Sequence, residues 1–395
     1  MRARCSGATI ATVFEPDPQS TESEHSAPIR VPLNSDYLRL QLITCIGNKR
    51  HLLHPIASAV DSVCEDLGRR TLRMGDLFSG SGVVSRLFMH YASQLVANDL
   101  ELYARVINQC YLGERSPVLV NRLRQAHANI LAALDDGALR SGIVAEHYAP
   151  DDDARIQPGE RVFYTRRNAL FLDTARELIG RQDIDLIPFL LAPLLAEASV
   201  HANTAGVFKG FYKDRTTGVG RFGGAHGDAL SRITGHISLP FPVSCECRPR
   251  VSLFQTDANE LVGKLPPLDL VYIDPPYNQH PYGSNYFMLN LLCDYRMPDQ
   301  ISEVSGIPGG WNRSDYNRRR VAQDRLEDLL RRVDSSHILL SFNSEGFVSP
   351  ERLQELLGSI GSVETRTIRY PTFRGSRNLA NRSRHVHESL YLVRK

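Results

Sequence analysis

The segment MGDLFSGSGVVSRLFMHYA (Met74–Ala92) decides the fold. Apolar-polar alternation over residues 71–78 predicts a strand, Gly80 and Gly82 then predict a tight turn, and Val84, Leu87 and Phe88 follow at helical spacing. Glycines serve where backbone must approach a ligand or adopt positive φ, and ligands of open α/β sheets bind beyond the carboxyl ends of the strands. The turn differs from a dinucleotide fingerprint, because Ser85 stands where a third glycine would allow close helix packing.

Beyond this turn and helix, LVAND (Leu95–Asp99) predicts a second strand ending in an acid suited to the two hydroxyls of a ribose. LDLVYI (Leu268–Ile273) is a near-continuous apolar run, the pattern of a strand buried on both faces of a parallel sheet, and it runs directly into Asp274-Pro275-Pro276-Tyr277. Two prolines remove backbone donors and fix the chain, so Asp274 and the Pro275 carbonyl are held as acceptors and Tyr277 offers a ring for stacking. That grouping suits the amino group of a planar base. Leu326, Leu329, Leu330 and Val333 predict a helix, HILLSF (His337–Phe342) a strand, Ser349-Pro350 a helix start, and SLYLVR (Ser389–Arg394) a last strand. Helices alternating with strands predict a doubly wound, mostly parallel α/β sheet. The apolar run Leu186–Ala196 is about half a membrane span and holds two prolines, so it reads as a packed helix.

The composition fits a folded globular chain of 395 residues, with 42% hydrophobic and 23% charged residues. Seven scattered cysteines point to a reducing cytoplasm rather than a disulfide scaffold, and no secretory signal or membrane span is expected. Net charge is only +2, but its distribution is uneven: residues 366–395 carry eight Arg or Lys against the single acid Glu388, and residues 201–250 carry seven against three. Residues 1–35, with EPDPQSTESEHSAP, read as a flexible tail. Cys245-Glu246-Cys247 has one residue between thiols where a zinc knuckle uses two to four, so with His226 and His236 upstream the reading is free thiols and no metal.

Four motifs in this order carry a resemblance that covers the chain from about Leu38: CIGNKRHLLHPI (Cys45–Ile56), DLFSGSG, AND (Ala97–Asp99) and DPPYNQHPYGSNY (Asp274–Tyr286). The chain resembles the Dam-like (alpha) group of S-adenosylmethionine-dependent DNA adenine N6-methyltransferases. The resemblance implies the Rossmann-like sheet of class I methyltransferases, formed by residues 36–110 and 251–395, with an inserted target-recognition module over residues 111–250. It implies methyl transfer from S-adenosyl-L-methionine to a flipped adenine in duplex DNA, within a restriction-modification system beside a cognate endonuclease acting separately or as an orphan enzyme, in a prokaryotic or phage-infected cytoplasm. The alternatives are an RNA or cytosine-N4 methyltransferase, or a DNA-binding protein without catalysis.

Carried over by position, the resemblance implies catalysis by Asp274, Pro275, Pro276 and Tyr277. It implies cofactor contact by Gly47, Lys49, Asp76, Phe78, Ser79, Gly80 and Gly82, by Asp99 on the ribose, and by Asp257 of FQTDANEL on the cofactor adenine. Cys45 stands where an aromatic is usual. In NTAGVFKGFYKDRTTGVGRFGG (Asn203–Gly224), Lys209, Tyr212, Lys213, Arg215 and Arg221 are the candidate DNA contacts, basic groups for phosphates interleaved with Phe208, Phe211 and Phe222 for bases. Arg374 and Arg377 of the second basic stretch, Tyr370–Glu388, are expected to meet the DNA backbone.

Overall fold

The computed structural model describes residues 31–224, 227–344, 346–371 and 385–395. Seven strands form one sheet: β1 (Leu72–Asp76), β2 (Ala92–Asp99), β3 (Arg250–Gln255), β4 (Leu268–Ile273), β5 (Ser335–Asn343), β6 (Ser362–Pro371) and β7 (His385–Arg394). Their order is β3-β2-β1-β4-β5-β7-β6, with β3 through β5 parallel and β7 antiparallel to both β5 and β6. The expected mostly parallel α/β sheet is therefore what the chain forms. The order reverses direction beside β1, so the loops after β1 and β4 leave a crevice at the switch point.

Local chemistry accounts for the element ends. The helix Leu53–Leu67 stops at Gly68, whose φ of 62° places it in the left-handed region and whose N–H reaches the carbonyls of Cys64 and Glu65. Ser349 caps the helix Pro350–Gly358 by accepting from the Arg352 N–H, with Pro350 in the first turn. All six residues of β4 are buried, five by their apolar or aromatic side chains and Asp269 through its ion pairs with Arg69 and Arg73.

The apolar run expected to pack as a helix does so, as Ile187–Val200, with eleven of its residues buried. It lies against the helices Leu102–Leu112 and Phe287–Asp294, so residues 111–250 share a continuous apolar core with one face of the sheet. A second core, with Leu329, Ile338 and Leu357, covers the other face. No helix among the described residues is long and apolar enough to cross a membrane.

Arg86, fully buried, ties the start of the described chain to the sheet. Its guanidinium donates to the carbonyls of Tyr37 (2.9 Å), Leu40 (2.9 Å) and Gln41 (3.1 Å), and its carbon lies 3.5 Å from the centroid of the Tyr111 ring. These contacts fix the segment that leads into residues 45–49. Arg86→Met strands three carbonyls and is expected to lower the unfolding free energy by about 3 kcal/mol, read by urea denaturation. An unchanged midpoint and slope would show that water replaces the guanidinium at no cost.

Candidate active site

The first wall of the crevice is the turn after β1. Both the Ser79 N–H (2.9 Å) and its hydroxyl (3.0 Å) donate to the Asn98 carbonyl at the end of β2, and the Asn108 amide donates to Ser79 Oγ at 2.6 Å. Gly80 donates its N–H to Asp99 Oδ2 at 2.8 Å, and Glu101 donates its own to Asp99 Oδ1 at 2.9 Å. Gly82 has φ of 73°, and a Cβ there would stand 2.7 Å from Asn108 Oδ1. The turn thus needs glycine at 82 both for its backbone conformation and for space.

Beneath this turn, Asp76 is fully buried. Its Oδ2 accepts from the Ser85 hydroxyl at 2.5 Å, while Oδ1 has no hydrogen-bond partner among the described residues. Burial pushes its carboxyl up to about 7, with the Ser85 bond opposing and the Asp274 charge adding to the rise. Ser85, at the position of the missing third glycine, therefore holds an acid in the floor of the crevice. Burial also raises Asp99, against the hydrogen bonds from Glu101 and Gly80, and raises Glu101 to about 7.

The opposite wall carries a buried charge cluster. Lys49 Nζ lies 3.0 Å from Asp274 Oδ1, just beyond β4, and 3.0 Å from Glu388 Oε1 on β7. Lys49 and Glu388 are 4% and 3% exposed. Glu388 is fixed by donors from β5, the Ser341 hydroxyl at 2.8 Å and the Asn343 amide at 3.1 Å. Burial pushes the Asp274 carboxyl up to about 6, Lys49 pulls it back and Glu388 pushes it further. Burial opposes the Lys49 charge too, but the two carboxylates outweigh it and hold the ammonium well above its ordinary value.

All expected cofactor residues except Gly82 line one crevice with Asp274 and Pro276: Gly47, Lys49, Asp76, Phe78, Ser79, Gly80, Asp99 and Asp257. Pro275 is buried, and Tyr277 lines an adjoining recess with Tyr282, Asn285 and Pro276. Tyr282 stacks on Tyr286 (5.8 Å, 28°), and the Tyr286 hydroxyl accepts from the Ile46 N–H at 2.6 Å. The 45–49 loop is thereby fixed to the chain that follows Tyr277. On the far side, Phe78 meets Tyr316 edge to face at 5.2 Å, and Asp257 caps the helix Ala258–Val262 while facing Arg325 at 3.5 Å.

Sequence reasoning missed Glu388, Glu101 and Tyr316. Glu388 had a signal: it is the single acid of a basic stretch and sits in an apolar strand. Glu101 had none beyond its distance of two residues from Asp99.

Residues 203–224 form a hairpin-like loop with a bridge between Lys213 and Gly220, its turn held by Asp214. Lys209, Lys213 and Arg215 are exposed, Tyr212 and Arg221 are half-buried, and the Arg221 guanidinium donates to the Gly224 carbonyl at 3.2 Å. One expectation is corrected here. Phe208 is 2% exposed, packed against Phe163, Tyr164 and Phe287, so it belongs to the core and has no face for a base. Its N–H donates to the Asn285 carbonyl at 2.7 Å, which fastens the basic loop to the helix beyond Tyr277. Arg374, Arg377 and His226 lie outside the described residues.

The family model of the D12 class N6 adenine-specific DNA methyltransferases matches residues 46–136 and 249–303. The chain is similar to the type II methyltransferase M.NlaIII of Neisseria lactamica, 29% identical over 81% of this chain and 90% of that protein. It is similar to the type II methyltransferase M.CviAII of Paramecium bursaria Chlorella virus 1, 29% identical over 77% and 86%. The modification methylase StsI of Streptococcus sanguinis is 27% identical over 89% of this chain, which spans 51% of that protein.

The charge cluster predicts opposite responses from its two neighbours of Asp274. The Asp274 carboxyl should titrate near pH 6, and Glu388→Gln should move that midpoint down while Lys49→Met moves it up, read from carboxyl-carbon NMR of aspartate-labelled protein. Movement of both variants in one direction would mean that a rearrangement of the loop, not charge, controls Asp274.

Proposed function

Because the chain belongs with the D12 class of N6 adenine-specific DNA methyltransferases, we propose that its crevice binds S-adenosyl-L-methionine and presents the methyl donor to an adenine turned out of duplex DNA. The single observation that carries this reading is the meeting of Asp274, held by Lys49, with the Asp76 and Asp99 carboxylates in one crevice. The crevice fits the cofactor. An orphaned buried carboxylate oxygen on Asp76 and several converging acids suit a ligand that carries an ammonium and a sulfonium, and Phe78 and Val83 give apolar surface beside them. When bound, S-adenosylmethionine supplies a methyl group on a positive sulfur, already a good leaving group, which the N6 nitrogen takes without a covalent enzyme intermediate.

The chain's own residues divide the work. Asp76 would take the cofactor's ammonium, Asp99 its ribose hydroxyls with the lone pairs its two backbone donors leave free, and Asp257 its adenine. Gly80 and Gly82 keep the turn open for close approach. Asp274 and the Pro275 carbonyl accept the two hydrogens of the target amino group, which turns the nitrogen lone pair out of conjugation with the ring. Asp274 acts as an acceptor only, since a carboxyl titrating near 6 is far too weak to deprotonate an aromatic amine. Lys49, between Asp274 and Glu388, fixes the orientation of the acceptor and keeps it ionised at neutral pH. Tyr277 stacks on the flipped base, repaying part of the few kcal/mol that unstacking costs.

For DNA, the exposed Lys209, Lys213 and Arg215 serve the phosphates, with Tyr212 and Arg221 beside them, and Arg374 and Arg377 extend the contact. The bond from Phe208 to Asn285 places this loop on the element that follows the base-stacking tyrosine. The relatives are type II and modification methylases, so we assign the chain to restriction-modification in a prokaryotic or phage-infected cytoplasm, opposite a separate endonuclease.

Asp274→Ala should lower the turnover of methyl transfer about a thousand-fold or more while cofactor affinity, by calorimetry, stays within a few-fold. Near-normal turnover would remove Asp274 from the chemistry. Lys209→Ala with Lys213→Ala should reduce the slope of log K against log salt for duplex binding by about 2, and an unchanged slope would move the phosphate contacts elsewhere.

A further inference from the structure

Away from the crevice, three soft or borderline ligand groups converge. His90 sits between the helix Val83–Phe88 and β2, and Cys245 and Cys247 lie on the segment that leads into β3. The Cys247 sulfur is 3.3 Å from His90 Nδ1, and one ligand atom from each of the three residues lies within 4.8 Å of the others. A tetrahedral zinc ion with Zn–S of about 2.3 Å and Zn–N of about 2.0 Å separates its sulfur and nitrogen ligands by about 3.6 Å and two sulfurs by about 3.8 Å. The three residues therefore stand close to three vertices of such a site.

Several details match. Both thiols are free, and Cys245 and Cys247 are half-buried while Glu246 between them is exposed, so the pair faces inward. The Cys247 N–H points at the Cys245 sulfur at 3.0 Å, a contact that stabilises sulfur carrying negative charge. His90 Nε2 is buried with no partner among the described residues, and in the neutral tautomer that carries its proton there the ring presents a bare Nδ1 to the sulfurs. The single-residue spacing of the cysteines excludes a knuckle turn. It does not exclude a site whose third ligand comes from another segment, and that ligand is His90 rather than His226 or His236.

We propose that His90, Cys245 and Cys247 bind one zinc ion, with water in the fourth position. The ion would clamp the returning end of residues 111–250 to the turn before β2. None of the three residues lines the crevice, so the site is distinct from the methyl-transfer machinery.

The test uses the full chain, stripped of metal under reductant and titrated with cobalt(II). The expected result is one equivalent bound with intense sulfur-to-cobalt charge-transfer absorption. His90→Ala should weaken binding by about 10- to 100-fold, and Cys245→Ser with Cys247→Ser should abolish the band. Absence of the band in the wild-type chain, or its persistence in the double-serine variant, overturns the site. X-ray absorption at the zinc edge of zinc-loaded wild-type protein decides the matter without any variant: two sulfurs and one imidazole nitrogen are expected, and a shell without sulfur contradicts the proposal.

Discussion

The buried contact of Lys49 with Asp274 and Glu388 is the constraint on which the site depends. One ammonium and two carboxylates leave water together, and burial of this kind is costly unless geometry and extra hydrogen bonds offset it. The chain meets the condition with the Ser341 and Asn343 donors on Glu388. Such clusters are often no more stabilising than apolar side chains of the same size. Its value therefore lies in what it orients. Removing Lys49 leaves two carboxylates without a counter-charge, and removing Glu388 takes away the second anchor of the ammonium that holds the acceptor at the end of β4.

That constraint also explains why the sheet is completed as it is. Lys49 precedes the first strand, Asp274 follows the fourth, and Glu388 stands on the seventh. Only an antiparallel β7 beside β5 brings the start of that last strand to the end where β1, β2 and β4 deliver their acids. The antiparallel addition is thus part of the active-site architecture. With Asp76, Asp99 and Glu101 close by, the crevice is rich in carboxylates that burial pushes up, Asp76 and Glu101 to about 7, and a cationic ligand would favour their charged form.

Much of this was legible in the residues. The β1 turn, the buried β4 run and Asp274-Pro275-Pro276-Tyr277 have local signals, because glycine freedom, near-continuous apolarity and paired prolines act within a few residues. Features that arise from tertiary contact were not legible. Glu388 depends on the pairing of β5 with β7, His90 meets Cys247 from 157 residues away, and Phe208 is drawn into the core by Phe163 and Phe287. An aromatic among basic residues reads as a base contact in sequence, and only packing reveals that its faces are taken.

The reaction assigned to this crevice is methylation of N6 of adenine in duplex DNA. Its most direct test is to incubate the protein with labelled S-adenosylmethionine and unmethylated duplex DNA of varied sequence, with RNA of the same sequence in parallel, and then digest to nucleosides. Label is expected in N6-methyldeoxyadenosine and in no other nucleoside. Label in N4-methyldeoxycytidine, or in RNA alone, would contradict it.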